Sequence, residues 1–368
     1  MCFPELDWRD AIIIPLLKKG DTRDCDNYRG LSLLSVPGKV YAHILLKQVA
    51  EKMNDGVLDE QSGFRPAHST SDHLFSLNQL FSNAVEFREP LHVCFIDLRK
   101  AYDTVNRPAL WTVLQKAGLS TMTVRLIKEL HTDTTSRVRM SGTYSRSFST
   151  NNGVRQSCVM SPALFNIFLD TVVRQALAGM KDGVTIKYTC GDEVYSLKLT
   201  EELTTLDLVQ ILLYADDMSI VSDSAKGLER LVQRLDVITQ KWLLDINQKK
   251  TKLMTVDHDR TGDLPAVTLR GKTIKTVEHF KYLGRIFQNT HGIDKEMSNR
   301  IRKATKSFNT LKPPLFCRKE ISTKTNLQHS MLTSTLIRHR NLGHQRITAR
   351  PPRALSEPMP PRHLEDIV

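Results

Sequence analysis

The sequence lacks the features that mark several common classes of protein. Its six cysteines stand singly, without a C-x-x-C pair, so neither a disulfide framework nor a zinc site is indicated. No apolar run is long enough to cross a bilayer, the N-terminus has no signal-peptide segment, and there is no internal repeat. We therefore expect a soluble nuclear or cytoplasmic protein that is not secreted, with no membrane contact and no protein partner indicated.

Positive charge is unevenly distributed along the 368 residues, whose formal net charge is +12. Residues 293–353 contain 14 Lys or Arg and three Asp or Glu, so the rest of the chain is nearly neutral. Such a one-sided basic stretch favours a polyanionic partner such as nucleic acid. The alternative is a helix face that is simply solvated.

Residues 209–222 consist of two apolar runs that flank Asp216 and Asp217. The runs have the length and the Ile, Leu and Val content of strands, which predicts a buried β-hairpin with two carboxylates at its turn. Adjacent carboxylates repel each other, so a divalent cation is their natural partner. The alternative is an Asp-Asp turn whose side chains cap their own backbone.

A second apolar run, residues 91–96, predicts a buried strand that delivers Asp97 at its end. If this strand neighbours the hairpin, three carboxylates converge on a site for two divalent cations, the arrangement used for in-line phosphoryl transfer. Magnesium suits such a site because it is a hard ion that prefers oxygen ligands. Spacing in the sequence does not establish that the strands are adjacent.

Apolar residues at helical spacing predict several amphipathic helices. One presents five residues to a core, namely Val40, Ile44, Leu45, Val49 and Met53. Ser69 or Thr70 is expected to cap a second helix, and Ser161 followed by Pro162 to cap a helix over residues 163–178. A later helix is expected to end near Asn247.

Strands and irregular segments are predicted elsewhere in the chain. Residues 8–17 read as a strand, and residues 184–199 as a hairpin that turns at Gly191 and Asp192. The proline-rich residues 346–368 have little apolar periodicity, so this tail is expected to be disordered.

Seven segments, in order, resemble the motifs of the reverse transcriptase of non-LTR (LINE-type) retrotransposons, and the resemblance extends from about residue 8 to about residue 310. The segments are residues 27–30 (NYRG), 61–65 (QSGFR), 95–103 (FIDLRKAYD), 153–166 (GVRQ to SPALFN), 214–217 (YADD), 247–251 (Asn247 with Lys250 and Thr251) and 282–284 (YLG).

The resemblance implies an α+β right-hand polymerase fold. Residues 1–90 would form the fingers, to which residues 107–150 also contribute. Residues 91–290 would form a palm with an antiparallel sheet, and residues 291–345 a short, basic, helical thumb-like region. A thumb of this kind packs on the template-primer duplex, and its cations contact phosphates.

The resemblance also implies roles at the catalytic centre. Asp97, Asp216 and Asp217 match the catalytic metal ligands, which would hold two Mg²⁺ ions or Mn²⁺ as a substitute. Lys250 matches a lysine that acts as general acid toward pyrophosphate.

Nucleotide and primer contacts follow from the same resemblance. Arg65 matches a residue that contacts the triphosphate, Gln156 one that lines the nucleotide pocket, and Tyr102 the aromatic residue beneath the sugar that excludes a 2′-hydroxyl. The primer grip is matched by Tyr282, Leu283 and Gly284. Without the motifs, the arginine, glutamine and lysine would read as solvated side chains and Tyr102 as a core aromatic residue.

Ser157 stands where the family normally has glycine, and a serine is costly wherever the backbone needs a positive φ. This departure keeps open a second interpretation, in which the chain is catalytically inactive.

The implied function is RNA-directed DNA synthesis, in which dNTPs extend the 3′-hydroxyl of a DNA primer on an RNA template. The alternative is a catalytically inactive, truncated remnant that only binds RNA. A group II intron maturase is a further alternative, and it would need another domain after the thumb. The endonuclease and Cys/His-rich segment of full-length elements are not visible, so we expect a polymerase unit cut from a larger element.

Overall fold

The computed structural model describes residues 8–18, 20–190, 193–196, 208–256 and 266–311. The chain forms two compact units, Met1–Arg300 and Ile301–Val368. Of the second unit only residues 301–311 are described, so the expectations for residues 312–345 of the thumb-like region and for the tail at 346–368 lie outside the described part. No helix in the described part is long and apolar enough to span a membrane.

Eight α-helices are described. They are α1 (Val36–Gly56), α2 (Thr70–Glu86), α3 (Ala101–Thr104), α4 (Arg107–Lys116), α5 (Thr121–His131), α6 (Ser161–Leu177), α7 (Ala225–Lys241) and α8 (Asp294–Leu311).

Fifteen strands accompany them in the described residues. They are β1 (Asp10–Leu17), β2 (Tyr28–Leu34), β3 (Leu91–Ile96), β4 (Thr135–Met140), β5 (Thr143–Tyr144), β6 (Phe148–Ser149), β7 (Lys187–Cys190), β8 (Glu193–Ser196), β9 (Ile211–Tyr214), β10 (Asp217–Ser222), β11 (Lys252–Val256), β12 (Thr268–Leu269), β13 (Lys272–Thr273), β14 (His279–Tyr282) and β15 (Arg285–Gln288).

The central sheet has the strand order β11-β3-β10-β9, and all its neighbours are antiparallel. Strand β3 is apolar at nearly every position because both of its faces are covered. Cys94 and Ile96 face a large core that α1 and α4 to α7 complete. Val93 and Phe95 face a smaller core that includes α2. The predicted strand at 91–96 and the predicted hairpin at 209–222 are therefore confirmed, and the two are neighbours.

A second sheet joins segments that lie far apart in the sequence. Its order is β2-β1-β4-β5, and β6 also pairs with β4. Strand β1 confirms the strand predicted at residues 8–17, and it runs parallel to β4. Strand β2 was not identified from the sequence, since its leucines Leu31 and Leu33 are exposed while Gly30 and Ser32 are the more buried positions.

The predicted core face of α1 is wrong at two positions. Val40 and Ile44 are 56% and 57% exposed, whereas Leu45, Val49 and Met53 are buried as expected. The buried stripe continues through Ala42, which is 2% exposed. The face of α1 that is buried thus passes through Ala42, and Val40 and Ile44 lie outside it.

Two predicted helix ends also need correction. Ser161 does not cap α6; it is the first helical residue after Met160, and its hydroxyl donates to the Arg155 carbonyl at 2.7 Å. Helix α7 ends at Lys241 rather than near Asn247, because the chain turns at Leu243, whose φ is +61°, and then runs beside the end of β3. Ser69 caps α2 with a complete capping box, as predicted.

The predicted hairpin at residues 184–199 is confirmed in part. Strands β7 and β8 pair antiparallel, with Lys187 opposite Ser196. The expected turn at Gly191 and Asp192 lies outside the described residues.

Candidate active site

Three carboxylates lie at one end of the central sheet. Asp97 follows the last residue of β3, Asp216 lies in the turn between β9 and β10, and Asp217 is the first residue of β10. Met218 pairs with Ile96, and this register places Asp97 beside Asp217. The structure therefore brings together the three acids, whose convergence the sequence predicted only on the condition that their strands are neighbours.

Burial and neighbouring negative charge raise the pKa values of Asp216 and Asp217. Burial, and then the charges of Asp216 and Asp97, raise the pKa of Asp217 to about 6. Burial is also the main reason that the pKa of Asp216 is raised, and the charge of Asp97 adds to it. Negative charge is thus concentrated beyond what the surrounding cations neutralise.

Lys250 is the cation that contacts this cluster directly. Its Nζ donates to both carboxylate oxygens of Asp97 at 3.1 Å. Asn247 holds the two segments together, since its amide donates to the Asp97 carbonyl at 2.8 Å and its carbonyl accepts from Thr251 at 2.9 Å. The predicted catalytic lysine therefore lies at the site, held beside the acid at the end of β3.

The donor chemistry of the cluster fits a hard divalent cation, since three carboxylates supply oxygen ligands and their mutual repulsion disfavours an arrangement without added positive charge. Within the described ranges, however, no group of three or more His, Cys, Asp or Glu side chains is already arranged around a single ion position. The Asp97 carboxylate is turned to Lys250, which accounts for the open arrangement.

Asp216 and Asp217 line a cavity of about 550 Å³. Arg29 and Leu31 of β2 and Phe64 also line it. The other lining residues include the predicted pocket residues, namely Tyr102, Gln156, Ser157, Asp216, Asp217 and Leu283. Most of the residues that the sequence predicted for nucleotide binding therefore surround one cavity.

Tyr102 forms part of the cavity wall. Its ring stacks on Phe165 with the centroids 4.5 Å apart, and its buried hydroxyl makes no hydrogen bond with any described residue. Burial, followed by the charge of Asp216, raises the pKa of Tyr102 well above its usual value. A rigid, neutral aromatic wall at this point can restrict the shape of whatever occupies the cavity.

The loop before α6 supplies Gln156 and Ser157. The Gln156 Nε2 atom donates to both carboxylate oxygens of Asp103, at 2.7 and 3.0 Å. Ser157 has a φ of +65°. Ser157 thus has the left-handed backbone conformation that glycine adopts most easily. Glycine is the residue that the resemblance predicts at this position.

Arg65 does not line the cavity. Its guanidinium is nearly buried and donates to the carbonyls of Leu58 at 2.9 Å and Gln61 at 3.4 Å. Its predicted triphosphate contact stays a prediction. Arg29, which sequence reasoning did not single out although it lies in the 27–30 motif, faces the cavity, and its charge lowers the pKa of Asp216.

The predicted primer grip is the hairpin of β14 and β15. Leu283 and Gly284 form its turn with φ values of +44° and +88°, and Leu283 reaches the cavity. Tyr282 is buried, with its ring 5.0 Å from that of Phe95 and 5.5 Å from that of His73. This hairpin is therefore anchored on the central sheet beside the carboxylates.

Comparisons with known proteins agree with this geometry. The family described as "Reverse transcriptase (RNA-dependent DNA polymerase)" matches residues 16–287. Among curated relatives, the RNA-directed DNA polymerase from mobile element jockey of Drosophila funebris is 28% identical over 290 residues, covering 76% of this chain and 29% of the relative. The Pol polyprotein from type-1 retrotransposable element R2 of Popillia japonica is 24% identical over 278 residues, covering 73% and 36%.

The chain thus spans about a third of the length of these relatives. Among solved structures, apo telomerase from Candida tropicalis truncated from its C-terminal domain has a TM-score of 0.51 at 13% identity, covering 77% of this chain and 54% of that one. This is a likeness of fold alone, and it confirms the right-hand polymerase architecture.

Proposed function

The chain belongs to the reverse transcriptase (RNA-dependent DNA polymerase) family, with relatives among LINE-type retrotransposons, and from that premise we propose that it copies RNA into DNA. It would transfer a deoxynucleoside monophosphate to the 3′-hydroxyl of a DNA primer on an RNA template and release pyrophosphate. The observation that carries this proposal is the convergence of Asp97, Asp216 and Asp217 at one end of the central sheet, where Asp216 and Asp217 line the cavity.

Reverse transcriptases depend on divalent metal ions. We assign Asp97, Asp216 and Asp217 as the residues that hold two Mg²⁺ ions, for which Mn²⁺ can substitute. When bound, such ions lower the pKa of an attacking hydroxyl and neutralise the leaving pyrophosphate. The raised pKa of Asp217 supports this assignment, since a nearby cation would offset both the burial and the repulsion that raise it.

Lys250 is the proposed general acid. Its Nζ carries protons at the edge of the carboxylate cluster, 3.1 Å from Asp97. From there it can donate a proton to a pyrophosphate oxygen as the bond to the α-phosphorus breaks.

The cavity walls supply the proposed nucleotide contacts. Tyr102 lies beneath the sugar and excludes a 2′-hydroxyl, while Gln156 borders the nucleotide. We propose Arg29 for the triphosphate contact because it faces the cavity, whereas the Arg65 guanidinium is held by backbone carbonyls. The hairpin of Tyr282, Leu283 and Gly284 would support the primer end.

The proposed subdomains follow the two sheets. Residues 1–90 and 107–150 form fingers, a grouping supported by the pairing of β1 with β4. Residues 91–290 form the palm around the central sheet. Residues 291–345 form a thumb-like region whose cations would contact the duplex, a role proposed from the sequence for residues beyond 311.

Primer extension on an RNA template in magnesium, with the whole chain and its Asp216→Asn variant, tests the proposal. The wild type should incorporate dNTPs and the variant should not. Equal incorporation by both would overturn the metal assignment. Absence of incorporation by a folded wild type that still binds RNA would establish the inactive remnant instead.

A further inference from the structure

The turn that carries Asp216 is conformationally costly. Tyr214 pairs with Asp217, so Ala215 and Asp216 form a two-residue hairpin loop. Ala215 has a φ of +56° although it is not glycine, and it is 4% exposed. A left-handed alanine costs about 1–2 kcal/mol relative to ordinary backbone, so neighbouring structure must hold it in place.

The residues that lie against this turn come from a distant segment, residues 60–63. The Leu213 amide donates to the Glu60 carbonyl, and the Ser62 amide donates to the Leu213 carbonyl, each at 2.9 Å. Gln61 forms a parallel bridge with Leu213. The segment therefore extends the central sheet beyond β9 and ends at the carboxylate turn.

The Gln61 side chain binds both backbone polar groups of Ala215. Its Oε1 accepts from the Ala215 amide at 2.9 Å and from the Gly63 amide at 2.8 Å. Its Nε2 donates to the Ala215 carbonyl at 3.4 Å. Gln61 is 1% exposed, so these backbone groups have no access to water as a replacement partner.

Gly63 allows this close contact. A Cβ atom at this position would lie 2.3 Å from the Ala215 nitrogen, which no side chain can tolerate. The Gly63 carbonyl is in turn fixed by Asn166, whose Nδ2 donates to it at 2.6 Å. Helix α6 thus supports the segment from behind.

We propose that Gln61 is a positioning residue that holds the Ala215 turn, so that Asp216 and Asp217 are presented together with Asp97 to divalent cations. This inference rests on the proposed function of the site. It explains why a buried amide from residue 61 binds the residue immediately before Asp216. Gln61 is not among the residues that line the cavity, and it acts through Ala215, which is.

Gln210 provides a matched control. It is also a buried glutamine, 7% exposed, and its Nε2 donates to the carbonyls of Met180 at 3.0 Å and Asp182 at 2.6 Å. It precedes β9 at the end opposite the carboxylates. Replacing either glutamine by methionine removes buried hydrogen bonds at similar volume, so both variants should lower the unfolding temperature.

The test measures Mn²⁺ binding to the full chain through the electron paramagnetic resonance signal of the free ion. Gln61→Met should bind Mn²⁺ at least about tenfold more weakly than wild type, as is usual when a residue that orients metal ligands is lost. Gln210→Met should keep wild-type affinity. Wild-type Mn²⁺ affinity in a folded Gln61→Met protein would overturn the inference.

A second variant covers the case in which Gln61→Met does not fold. Gln61→Asn keeps a buried amide but is one methylene too short to reach both Ala215 groups, so a smaller loss of Mn²⁺ affinity is expected. Unchanged affinity would again overturn the inference. If the wild type itself binds no Mn²⁺ and extends no primer, the proposed function fails, and that result is distinct from equal binding by both proteins.

Discussion

Charged side chains are buried in two regions of this protein, and the groups that surround them differ between the two regions. At the carboxylate turn, Asp216 and Asp217 form no salt bridge with any described residue, and they face a cavity. Beneath the loop before α6, Arg107 and Arg155 are equally without a salt-bridge partner in the described part of the chain, yet neither lines that cavity.

The arginine region satisfies its charge with backbone carbonyls. Arg107 donates to the Gly153 carbonyl at 2.9 Å and to the His131 carbonyl at 2.5 Å, and Arg155 donates to the Trp8 carbonyl at 2.5 Å. Burial lowers the pKa of Arg107 to about 10, so it keeps its charge at neutral pH. These arginines join chain segments to one another.

Whether a buried charge faces the cavity therefore distinguishes a functional residue from a structural one more clearly than burial alone does. A buried charge whose hydrogen bonds go to the surrounding protein serves the fold, whereas one that faces a cavity is prepared for a ligand. By this criterion Arg65, whose guanidinium binds carbonyls, belongs with Arg107. Arg29, which faces the cavity, belongs with the carboxylates.

The largest effect is expected for Asp217→Asn. Primer extension should fall on the order of 10³-fold, since one charged ligand for the metal ions is lost. The free energy of unfolding in EDTA at pH 7 should rise, because burial and repulsion destabilise the ionised carboxylate in the folded state. Extension assays and urea unfolding measure the two quantities.

The dependence of stability on pH is the control for the Asp217→Asn prediction. The folded-state pKa of about 6 lies above the usual value of 3.8, so the folded wild type binds a proton more tightly than the unfolded chain. Stability of the wild type should therefore fall as pH rises from about 4 to about 6, by more than in Asp217→Asn. Parallel pH profiles for the two proteins would contradict the raised pKa.

Arg107→Met should lower the free energy of unfolding, whereas Asp217→Asn should raise it. The carbonyls of Gly153 and His131 would lose charged donors inside the protein, at a cost of about 3 kcal/mol in the free energy of unfolding. Mn²⁺ affinity should stay at the wild-type level while the protein is folded, because Arg107 lies away from the acids. Denaturant unfolding combined with Mn²⁺ titration measures both effects.

A folded Arg107→Met variant with weakened Mn²⁺ binding would break the distinction between the two regions. The reason to consider this outcome is the loop itself, since Val154 donates to the Tyr102 carbonyl at 2.8 Å and so connects the arginine region to the cavity wall. Wild-type affinity would show that this connection carries no coupling to the carboxylates.

The sequence predicted the acidic site well and its surroundings less well. The apolar run of β3 and the flanking runs of the hairpin fixed where Asp97, Asp216 and Asp217 lie along the chain. That β3 and β10 are neighbours is a tertiary contact, so it was expected only through the motifs. The roles of the individual residues came from the resemblance and not from spacing.

Two kinds of feature could not be read from the sequence. Strand β2 carries exposed leucines at Leu31 and Leu33, which inverts the alternation that marks a half-buried strand. The directions of Arg29 and Arg65 depend on which backbone carbonyls the fold places nearby, and local sequence does not contain that information. The exposure of Val40 and Ile44 likewise depends on which face of α1 the rest of the fold covers.

The smallest expected effect concerns Ser157 of the cavity loop, where the resemblance predicts a glycine. Its φ of +65° costs about 1–2 kcal/mol for a residue with a Cβ. Ser157→Gly releases this strain, although the greater entropy of an unfolded glycine offsets about 0.5–1 kcal/mol of it. We expect a net gain of about 0.5 kcal/mol in the free energy of unfolding, measured by urea denaturation.

Ser141→Gly is the matched control, since Ser141 is also exposed with a positive φ, +51°, but lies in the turn between β4 and β5. Both variants should gain similar stability. Only Ser157→Gly should lower the KM for dNTPs, by about twofold to fivefold, because only Ser157 lines the cavity and equivalent gains of 0.5–1 kcal/mol correspond to that range. An equal KM in both variants would mean that Ser157 strains the fold without touching the nucleotide. Residue 157 would then serve the fold, as the arginine region does, rather than the site of the carboxylates.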